Sequence, residues 1–433
     1  MKRVLILAYF YPPLAGGGVH RVLSFTRHLP GHGWACTVVC AGERDYWVHD
    51  RSLLESVPRE TEVIRVEGGS ALSAWLRLRG GERQGRRSGR TFAPLRALSD
   101  WWLLPDSYAG WARRAREAAA ARVAAGECGA ASRVDVVLSS SPPDSVHLAA
   151  RFLARDTGLP WIADFRDPWI GLAFRRPPTP WHAARQAAME SSVLDSASLV
   201  LAASRTHADA LAARERARPR DLLHLPNGFE PAPRVAIPRD ADHFRVAFTG
   251  TLSLVDDVGT LLDAVHRLLA REPAARSTLR VELAGPYDED WRARAHALGL
   301  DGVVSFLGSR PHAETRALQR AADLLLLWRP RGEGYRTMVP GKLYEYLDSG
   351  RPIVALLPAG DEAAELVKRA GGAVLPPASP DTLERDLAAR LSRWRAGERV
   401  ADAVPGWLGE HTRGHLAGTL ARALDAVAAQ GRP

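Results

Sequence analysis

The sequence predicts an α/β protein with two doubly wound parallel sheets, one in each half of the chain, facing each other across a cleft. Three observations support this class. The 433 residues are too many for one ordinary domain. Both halves alternate short apolar runs with amphipathic helical patterns, which is typical of parallel sheets. A proline-rich stretch at 226–242 interrupts this alternation and suits a linker.

We therefore predict a first domain at 1–230, a linker at 231–242, a second domain at 243–405 and a closing helical segment at 406–433. The predicted strands of the first half lie at 4–8, 37–40, 134–138, 161–163, 199–202 and 222–225. Those of the second half lie at 244–248, 280–284, 303–307, 324–327, 353–357 and 373–375. Helices are predicted at 111–125, 183–194, 206–214, 289–298, 314–320, 361–370, 381–393 and 416–428.

The composition is that of a folded soluble protein, with 46% hydrophobic and 25% charged residues. A formal charge of +9, carried mostly by arginine, fits an acidic partner such as nucleotide phosphates, an anionic membrane or nucleic acid. The three cysteines, Cys36, Cys40 and Cys128, have no zinc or disulfide spacing, which favours a reducing cytosol. No apolar run approaches the ~20 residues that span a bilayer. The apolar amino-terminal run stops at Pro12 and Pro13, so we do not assign a signal peptide.

Glycines and charged residues mark two strand ends in the first half. Gly16, Gly17 and Gly18 lie between the first strand and a helix, where a backbone can approach a phosphate closely or simply form a flexible turn. Asp164, Arg166 and Asp167 follow the strand at 161–163. Parallel sheets bind ligands at this edge, although the same three residues could form an ion cluster that only pins a loop.

The part of the first half between 71 and 125 has no regular pattern at its start. Seven arginines at 77–96 face a single glutamate, which predicts a mobile basic loop. Trp101, Trp102 and Trp111 follow. Basic residues beside aromatic ones can mark contact with a membrane surface. The alternative, which we favour for the tryptophans, is burial of their rings against the domain.

The second half carries its most informative stretch at 335–352. A short helix is expected there, with Gly341 and Lys342 at its start, Glu345 one turn further on and Gly350 at its end. A helix start suits a phosphate, and the carboxylate suits a sugar diol. An ordinary amphipathic helix with a solvated lysine and glutamate explains the same pattern. Gly250 and Thr251 lie in another loop between a strand and a helix.

Several motifs occur in a recognisable order: GGGVHR, SSSPP, ADFRDPW, PNGFEP, FTGTL and GKLYEYLDSGRPIVA. In this order the chain resembles the family-4 retaining glycosyltransferases of GT-B fold, the group 1-like glycosyl transferases. The similarity covers almost the whole chain and is weakest at 71–125. It implies two Rossmann-like domains, with the acceptor on the first, the nucleotide-sugar donor on the second and a final helix that crosses back to the first.

The resemblance also implies roles for individual residues. Donor binding falls to Gly17, Gly18, Gly250, Thr251, Gly341, Lys342, Leu343 and Glu345. Glu345 matches the carboxylate that holds the donor ribose, and Lys342 lies at the helix start that faces the diphosphate. Asp164 and Asp167 match polar groups beside the anomeric centre, so both, with Lys342, are the predicted catalytic residues. His20 and Arg166 are expected on the acceptor side.

Two departures from the family pattern affect the donor site. Many relatives have two glutamates seven residues apart, whereas here Glu333 precedes Glu345 by twelve positions. Many relatives also carry arginine and lysine after the TGTL-like motif, where this chain has Asp256 and Asp257. The balancing positive charge would then come from one of three other basic residues: Lys342, Arg336 or Arg331.

The expected function is transfer of a sugar from a nucleotide sugar to an acceptor hydroxyl with retention of configuration, in cell-envelope polysaccharide, glycolipid or natural-product biosynthesis. The family uses no essential metal, and no other cofactor is expected. The acceptor would be a lipid-linked saccharide or a small molecule, and the enzyme would be cytoplasmic or peripheral at the inner membrane face. Nucleic acid is not an expected partner. A sugar-nucleotide epimerase of the same fold and a non-catalytic nucleotide-sugar binding protein remain alternatives.

Overall fold

The computed structural model describes residues 1–45, 49–68, 101–127, 133–172, 177–214, 221–232, 240–252 and 257–431. The arginine-rich segment at 77–96, together with Cys128 and Asp256, lies outside these residues, so the predictions about them stay predictions.

The amino-terminal sheet has seven parallel strands in the described residues. They are β1 (Lys2–Leu7), β2 (Trp34–Ala41), β3 (Glu62–Val66), β4 (Val136–Ser141), β5 (Trp161–Phe165), β6 (Leu199–Ala202) and β7 (Leu222–His224), in the spatial order β3-β2-β1-β4-β5-β6-β7. The order reverses between β1 and β4, which are paired with Leu7 opposite Ser139. Doubly wound sheets bind ligands at such a switch point, beyond the carboxyl ends of the strands.

The second sheet has six parallel strands in the described residues. They are β8 (Phe244–Thr249), β9 (Leu279–Ala284), β10 (Val304–Gly308), β11 (Leu324–Trp328), β12 (Ile353–Leu356) and β13 (Ala373–Leu375), in the order β10-β9-β8-β11-β12-β13. Here the order reverses between β8 and β11, which are paired with Ala247 opposite Leu325. The predicted α/β class with two parallel sheets is confirmed.

Most of the helices connect successive strands, and the last two helices follow the last strand. In the first half they are α1 (Gly17–His28), α2 (Ala109–Glu127), α3 (Ser145–Thr157), α4 (Pro180–Ser196) and α5 (Arg205–Ala212). In the second half they are α6 (Val258–Arg271), α7 (Ala275–Thr278), α8 (Glu289–Ala297), α9 (His312–Ala321), α10 (Lys342–Ser349), α11 (Glu362–Arg369), α12 (Pro380–Arg395) and α13 (Arg413–Ala429). Among the described residues, no helix is both long enough and apolar enough to cross a bilayer.

Burial on both faces explains why the strands appear as continuous apolar runs. In β1, Leu5 and Leu7 belong to one hydrophobic core, while Val4 and Ile6 belong to the core on the opposite face. Strands covered on both faces by helices need apolar residues at every position. All the predicted strands are present, and their ends differ from the predictions by at most three residues.

Two expectations about the first half were incomplete or wrong. Strand β3 was not predicted, because its sequence EVIRV is only half-buried at the edge of the sheet and lacks a continuous apolar run. The prediction of buried tryptophans holds for Trp111, which is inaccessible and donates its Nε1–H to the Val66 carbonyl at 3.1 Å. It is wrong for Trp101 and Trp102, whose residues are 52% and 81% exposed.

The chain divides into two compact units. The first consists of Met1–Gly228 together with His411–Pro433, and the second of Phe229–Glu410. The closing helix α13 packs within the first unit, where Leu420 and Leu424 share a core with Val22 of α1. Its Asp425 accepts hydrogen bonds from Lys2 at 2.8 Å and from Trp34 at 3.2 Å.

Candidate active site

A buried ion pair braces the carboxyl ends of β4 and β5 in the first unit. Asp164 is fully buried, and Arg21 of α1 donates to it from Nε at 3.0 Å and from Nη2 at 2.7 Å. Ser140 donates its hydroxyl to the same carboxylate at 2.7 Å. Burial acts to raise the pKa of Asp164, but Arg21 and Ser140 outweigh it and hold the pKa below its ordinary value. Asp164 therefore fixes α1 against the two strands.

Arg166 braces the glycine loop that leads into α1. Its guanidinium donates to the carbonyls of Ser141 at 2.6 Å and Pro142 at 2.7 Å, and it also contacts the carbonyl of Gly18. A Cβ on Gly18 would lie 2.7 Å from Arg166 Nη1, so a larger residue there would displace the guanidinium. Asp164 is thus paired with Arg21, whereas Arg166 donates hydrogen bonds to backbone carbonyls of the neighbouring loops.

The other predicted residues of this unit lie around the same edge. Gly17 is exposed at the start of α1, and His20 is partly exposed in its first turn. Asp167 is partly exposed in the bend that follows β5. The contact between Arg166 and Gly18 therefore joins the loop after β1 to the loop after β5 at the switch point of the sheet.

A buried histidine supports this edge from behind. His147 of α3 is fully buried, and its Nδ1 lies 2.7 Å from Ser139 Oγ, which also accepts from Trp161 Nε1 at 2.8 Å. Burial lowers the pKa of His147 to about 3, and Asp164 only partly opposes this effect. Burial likewise lowers the pKa of His207 to about 4.

We expect these histidines to make the first unit sensitive to mild acid. A histidine in the unfolded chain has a pKa of about 6.5. Near and below that pH the unfolded state therefore binds more protons than the folded state. The free energy of unfolding should therefore decrease as the pH falls from about 6.5 towards 3. Urea unfolding at pH 7 and pH 5 measures the effect, and the His147→Gln variant should lose less stability over that interval than the wild type. Equal losses in both proteins would contradict the assignment.

Two glycines in the second unit bring strand ends unusually close. Gly250 follows β8 with φ 133°, and Gly285 follows β9 with φ 140°, both in a region that other residues rarely adopt. The Gly250 N–H donates to the Ala284 carbonyl at 2.8 Å, and the Gly285 N–H to the Gly308 carbonyl at 2.8 Å. A Cβ on Gly285 would overlap the carbonyl oxygen of Gly250. Bare backbone thus lines the edge beside the switch point.

The Gly285→Ala substitution should be strongly destabilising for this reason. It adds backbone strain and a clash with a backbone oxygen that no rotamer relieves, and we expect a loss of about 3 kcal/mol or more in unfolding free energy. Gly302→Ala is the matched control, because Gly302 has φ 77° but open space around its Cβ position. Its loss should be about 1 kcal/mol. Similar losses for the two variants in urea unfolding would refute the close approach.

Lys342 is the basic residue beside this backbone. Its Nζ lies 3.5 Å from the centroid of the Phe248 ring, which is itself stacked on Trp328 at 3.9 Å. A Cβ on Gly250 would lie 2.9 Å from the same Nζ. Gly250 and Lys342, two of the predicted donor-binding residues, are therefore direct neighbours, and the ammonium lies over an aromatic face.

The start of α10 has the predicted helical form. Gly341 is exposed and precedes the helix, and Gly350 ends it in the left-handed conformation with φ 72°. Leu343 is fully buried, and its N–H donates to the Pro340 carbonyl at 3.0 Å, so its side chain belongs to the core. Thr251 is exposed just after Gly250.

Glu345 is held by a polar network on α9. Its Oε1 lies 2.9 Å from His312 Nε2, and its Oε2 accepts from Gln319 Nε2 at 3.3 Å. Gln319 also donates to Thr249 Oγ1 at 3.0 Å, at the end of β8. Arg316 donates to the Glu345 carbonyl at 2.8 Å. The network joins the carboxylate to the strand that ends in Gly250.

This network keeps Glu345 ionised. Burial acts to raise its pKa, but the hydrogen bond and charge of His312, the charge of Arg316 and the hydrogen bond from Gln319 lower the pKa to about 2. A carboxylate accepts up to about four hydrogen bonds, so each oxygen keeps acceptor capacity beyond the bonds described. Glu345 can therefore accept from a pair of hydroxyl groups on a ligand.

The remaining charged candidates occupy other positions. Arg331 donates to the buried carboxylate of Asp257 from Nε at 3.0 Å and from Nη2 at 2.6 Å. Arg336 is exposed, and Glu333 begins a short 3-10 helix, Glu333–Tyr335. Three basic residues were predicted to replace the arginine and lysine that the family carries. Of these, Lys342 lies beside Gly250, whereas Arg331 forms an ion pair with Asp257.

The residues of these networks that were not predicted as site residues from the sequence include Arg21, His312, Arg316 and Gln319. Arg21 looks like an ordinary helix arginine, and its partner Asp164 is 143 positions away. The sequence position of His312 could have indicated a site residue, since it starts a helix just beyond the carboxyl end of β10. Among the described residues, no group of three or more histidine, cysteine or acidic side chains could hold a metal ion. Metal independence itself stays a prediction.

Comparison with solved structures identifies the architecture. HepE of Anabaena, solved in complex with UDP, matches at a TM-score of 0.56 and 17% identity, covering 99% of this chain and 98% of that one. The lipopolysaccharide outer core galactosyltransferase WaaB, in its apo form, matches at 0.57 and 16% identity, covering 98% and 99%. Sucrose-phosphate synthase from Thermosynechococcus elongatus matches at 0.56 and 15% identity, covering 99% and 97%. The chain has the GT-B fold.

The second unit contains a region whose sequence matches a known protein family. Residues 243–393, within the second unit, match the family model described as Glycosyl transferases group 1. That range holds Gly250, Gly285, His312, Lys342 and Glu345. No curated protein sequence matches the chain significantly.

Proposed function

We propose that the protein is a glycosyltransferase that moves a sugar from a nucleotide-sugar donor to an acceptor hydroxyl. The observation that carries this proposal is Glu345, an ionised carboxylate held by His312 and Gln319 in the part of the chain that matches the group 1 glycosyl transferases. HepE, which shares the fold, was solved with UDP and with UDP-glucose. A nucleotide sugar supplies both a ribose diol and a diphosphate, the two groups that this edge suits.

The donor would bind across the edge where β8 and β9 end. Glu345 would accept hydrogen bonds from the two ribose hydroxyls. The diphosphate would lie against the backbone of Gly250 and the start of α10, where helix N–H groups favour anions. Lys342 would move from the Phe248 ring to the diphosphate and neutralise the charge that develops as the sugar leaves.

The reaction would proceed with retention of configuration and without a metal. The bond from the anomeric carbon to the diphosphate breaks, the acceptor oxygen bonds to that carbon on the same face, and the acceptor proton passes to the departing phosphate oxygen. Asp167, with His20 and the loop braced by Arg166, would bind and orient the acceptor. Because both oxygens of Asp164 bind Arg21 or Ser140, we assign Asp164 to positioning of this edge.

We place the enzyme in the cytoplasm or at the inner face of a membrane, acting in cell-envelope polysaccharide, glycolipid or natural-product biosynthesis. The acceptor would be a lipid-linked saccharide or a small molecule with a free hydroxyl group.

Incubation with a panel of nucleotide sugars, each with and without candidate acceptors, tests the proposal. We expect release of a nucleoside diphosphate that increases when a suitable acceptor is present. A change of the nucleotide sugar itself without acceptor would identify an epimerase instead. Tight binding with neither hydrolysis nor transfer across the panel would identify a non-catalytic binding protein.

A further inference from the structure

Three tryptophans form an exposed aromatic cluster on the first unit. Trp102, Trp181 and Trp101 are 81%, 63% and 52% exposed. Large aromatic side chains are mostly covered in folded proteins, and a group of exposed ones marks an interaction surface. We call these three residues the tryptophan cluster.

The tryptophan cluster is held in place by buried polar contacts. His182 of α4 is buried between two of the rings, with centroids 5.5 Å from Trp101 and 4.9 Å from Trp181. Its Nε2 lies 3.2 Å from the Trp101 carbonyl, and its Nδ1 lies 2.7 Å from Thr179 Oγ1. Trp101 and Trp181 are therefore presented by an ordered support, and Trp102 adjoins Trp101 in the chain.

The helices beside the cluster carry arginines. Arg116 of α2, with Arg151 and Arg155 of α3, surrounds the Phe152 ring at 5.8, 5.6 and 5.0 Å. Arg185 is exposed one turn after Trp181 on α4. Helices α2, α3 and α4 cover the same hydrophobic core, so their outer surfaces form one layer. The arginines and the tryptophan cluster thus lie on the same helical layer of the first unit, where Arg155 also pairs with the exposed Asp156 at 2.8 Å.

This layer reaches the edge that holds Asp164 and Arg166. In a doubly wound sheet, each helix begins at the carboxyl ends of the strands, and the cluster lies in the segment that leads into α2 and at the start of α4. Gln186 connects the two places: it donates to the Pro105 carbonyl at 2.8 Å and accepts from Trp169 Nε1 at 2.6 Å. Trp169 lies two residues beyond Asp167.

We infer that the tryptophan cluster and the adjoining arginines form a docking face for an anionic lipid bilayer surface. Indole rings with an apolar body and a polar N–H prefer the headgroup region of a membrane. Arginines spread over three helices, rather than gathered in a pocket, complement a surface of diffuse negative charge. Docking in this way sets the acceptor-side edge of the first unit next to the membrane. The inference does not depend on glycosyl transfer.

Vesicle binding by the full-length protein tests the inference. We compare vesicles of phosphatidylcholine alone with vesicles that contain an equal amount of phosphatidylglycerol, and measure the bound fraction by flotation. The wild type should bind the anionic vesicles and not the neutral ones. The double variant Trp102→Ser/Trp181→Ser should bind the anionic vesicles at least about tenfold more weakly than the wild type does. Arg116→Gln should weaken binding about fivefold.

Matched controls separate lipid docking from other effects. Val400→Ser removes another exposed apolar side chain, 57% exposed on the second unit, and should leave vesicle binding unchanged. Thermal unfolding checks that each variant folds. Absence of wild-type binding to anionic vesicles, or equal binding by the double variant, would overturn the inference. Self-association of the wild type that the double variant abolishes, without vesicle binding, would identify a second copy of the chain as the occupant and overturn it as well.

Discussion

Replacing Glu345 with alanine is expected to weaken nucleotide-sugar binding about a hundredfold. The carboxylate would accept two hydrogen bonds from the ribose diol, and a hydrogen bond to a charged group contributes roughly 1.5–3 kcal/mol. The low pKa of Glu345, about 2, means that it is already ionised near neutral pH and needs no deprotonation on binding. Isothermal titration calorimetry with the nucleotide sugar that the wild type binds measures the loss directly.

The control for this prediction is Glu314→Ala. Glu314 lies on α9 as His312 does, is exposed, and forms a surface pair with Arg310 at 3.8 Å. Its removal should change donor affinity by less than about twofold. Circular dichroism should show that both variants keep the fold. Unchanged donor affinity in Glu345→Ala would rule out the ribose role of this carboxylate.

Replacing Arg21 with methionine is expected to have the largest effect on stability. Arg21 and Asp164 are both nearly inaccessible, with their closest atoms 2.7 Å apart. Removing the arginine leaves a buried carboxylate without its counter-charge, which typically costs about 3–5 kcal/mol. Urea unfolding of the full-length protein should show this loss in the free energy of unfolding. The physical reason is that α1 is no longer held against the ends of β4 and β5.

Two further variants make this prediction specific. Lys2→Met removes the exposed pair with Asp425, which is 2.8 Å long, and should cost less than about 1 kcal/mol. In the double variant Arg21→Met/Asp164→Asn neither charge of this pair remains, so part of the lost stability should return. A loss below about 1 kcal/mol in Arg21→Met, or no recovery in the double variant, would show that the ion pair does not brace this edge.

Local patterns were sufficient to predict the sheets and the start of α10. Strand β12, for example, is a short apolar run that is buried on both faces, and a strand of this kind is recognisable without knowing its neighbours. Gly350 ends α10 because glycine adopts the left-handed conformation without strain, which is also a local property of the sequence. The half-buried edge strand β3 has no such signal.

Partners that are distant in the chain could not be predicted in the same way. Glu345 was recognisable by its place in a helix, but His312 lies 33 positions earlier and meets it only because α9 and α10 pack together. The hydrophobicity of Trp101 and Trp102 suggested burial, whereas both are exposed, and Trp101 packs against His182 of α4. Such contacts are properties of the tertiary structure.

The most direct test of the proposed donor site is a crystal structure of the protein with a bound nucleoside diphosphate. We predict both ribose hydroxyls within about 3 Å of the Glu345 carboxylate oxygens. The diphosphate should lie against the Gly250 backbone, with Lys342 Nζ moved from the Phe248 ring towards it. A nucleotide bound away from Glu345, or with its ribose turned from that carboxylate, would contradict the proposed donor site.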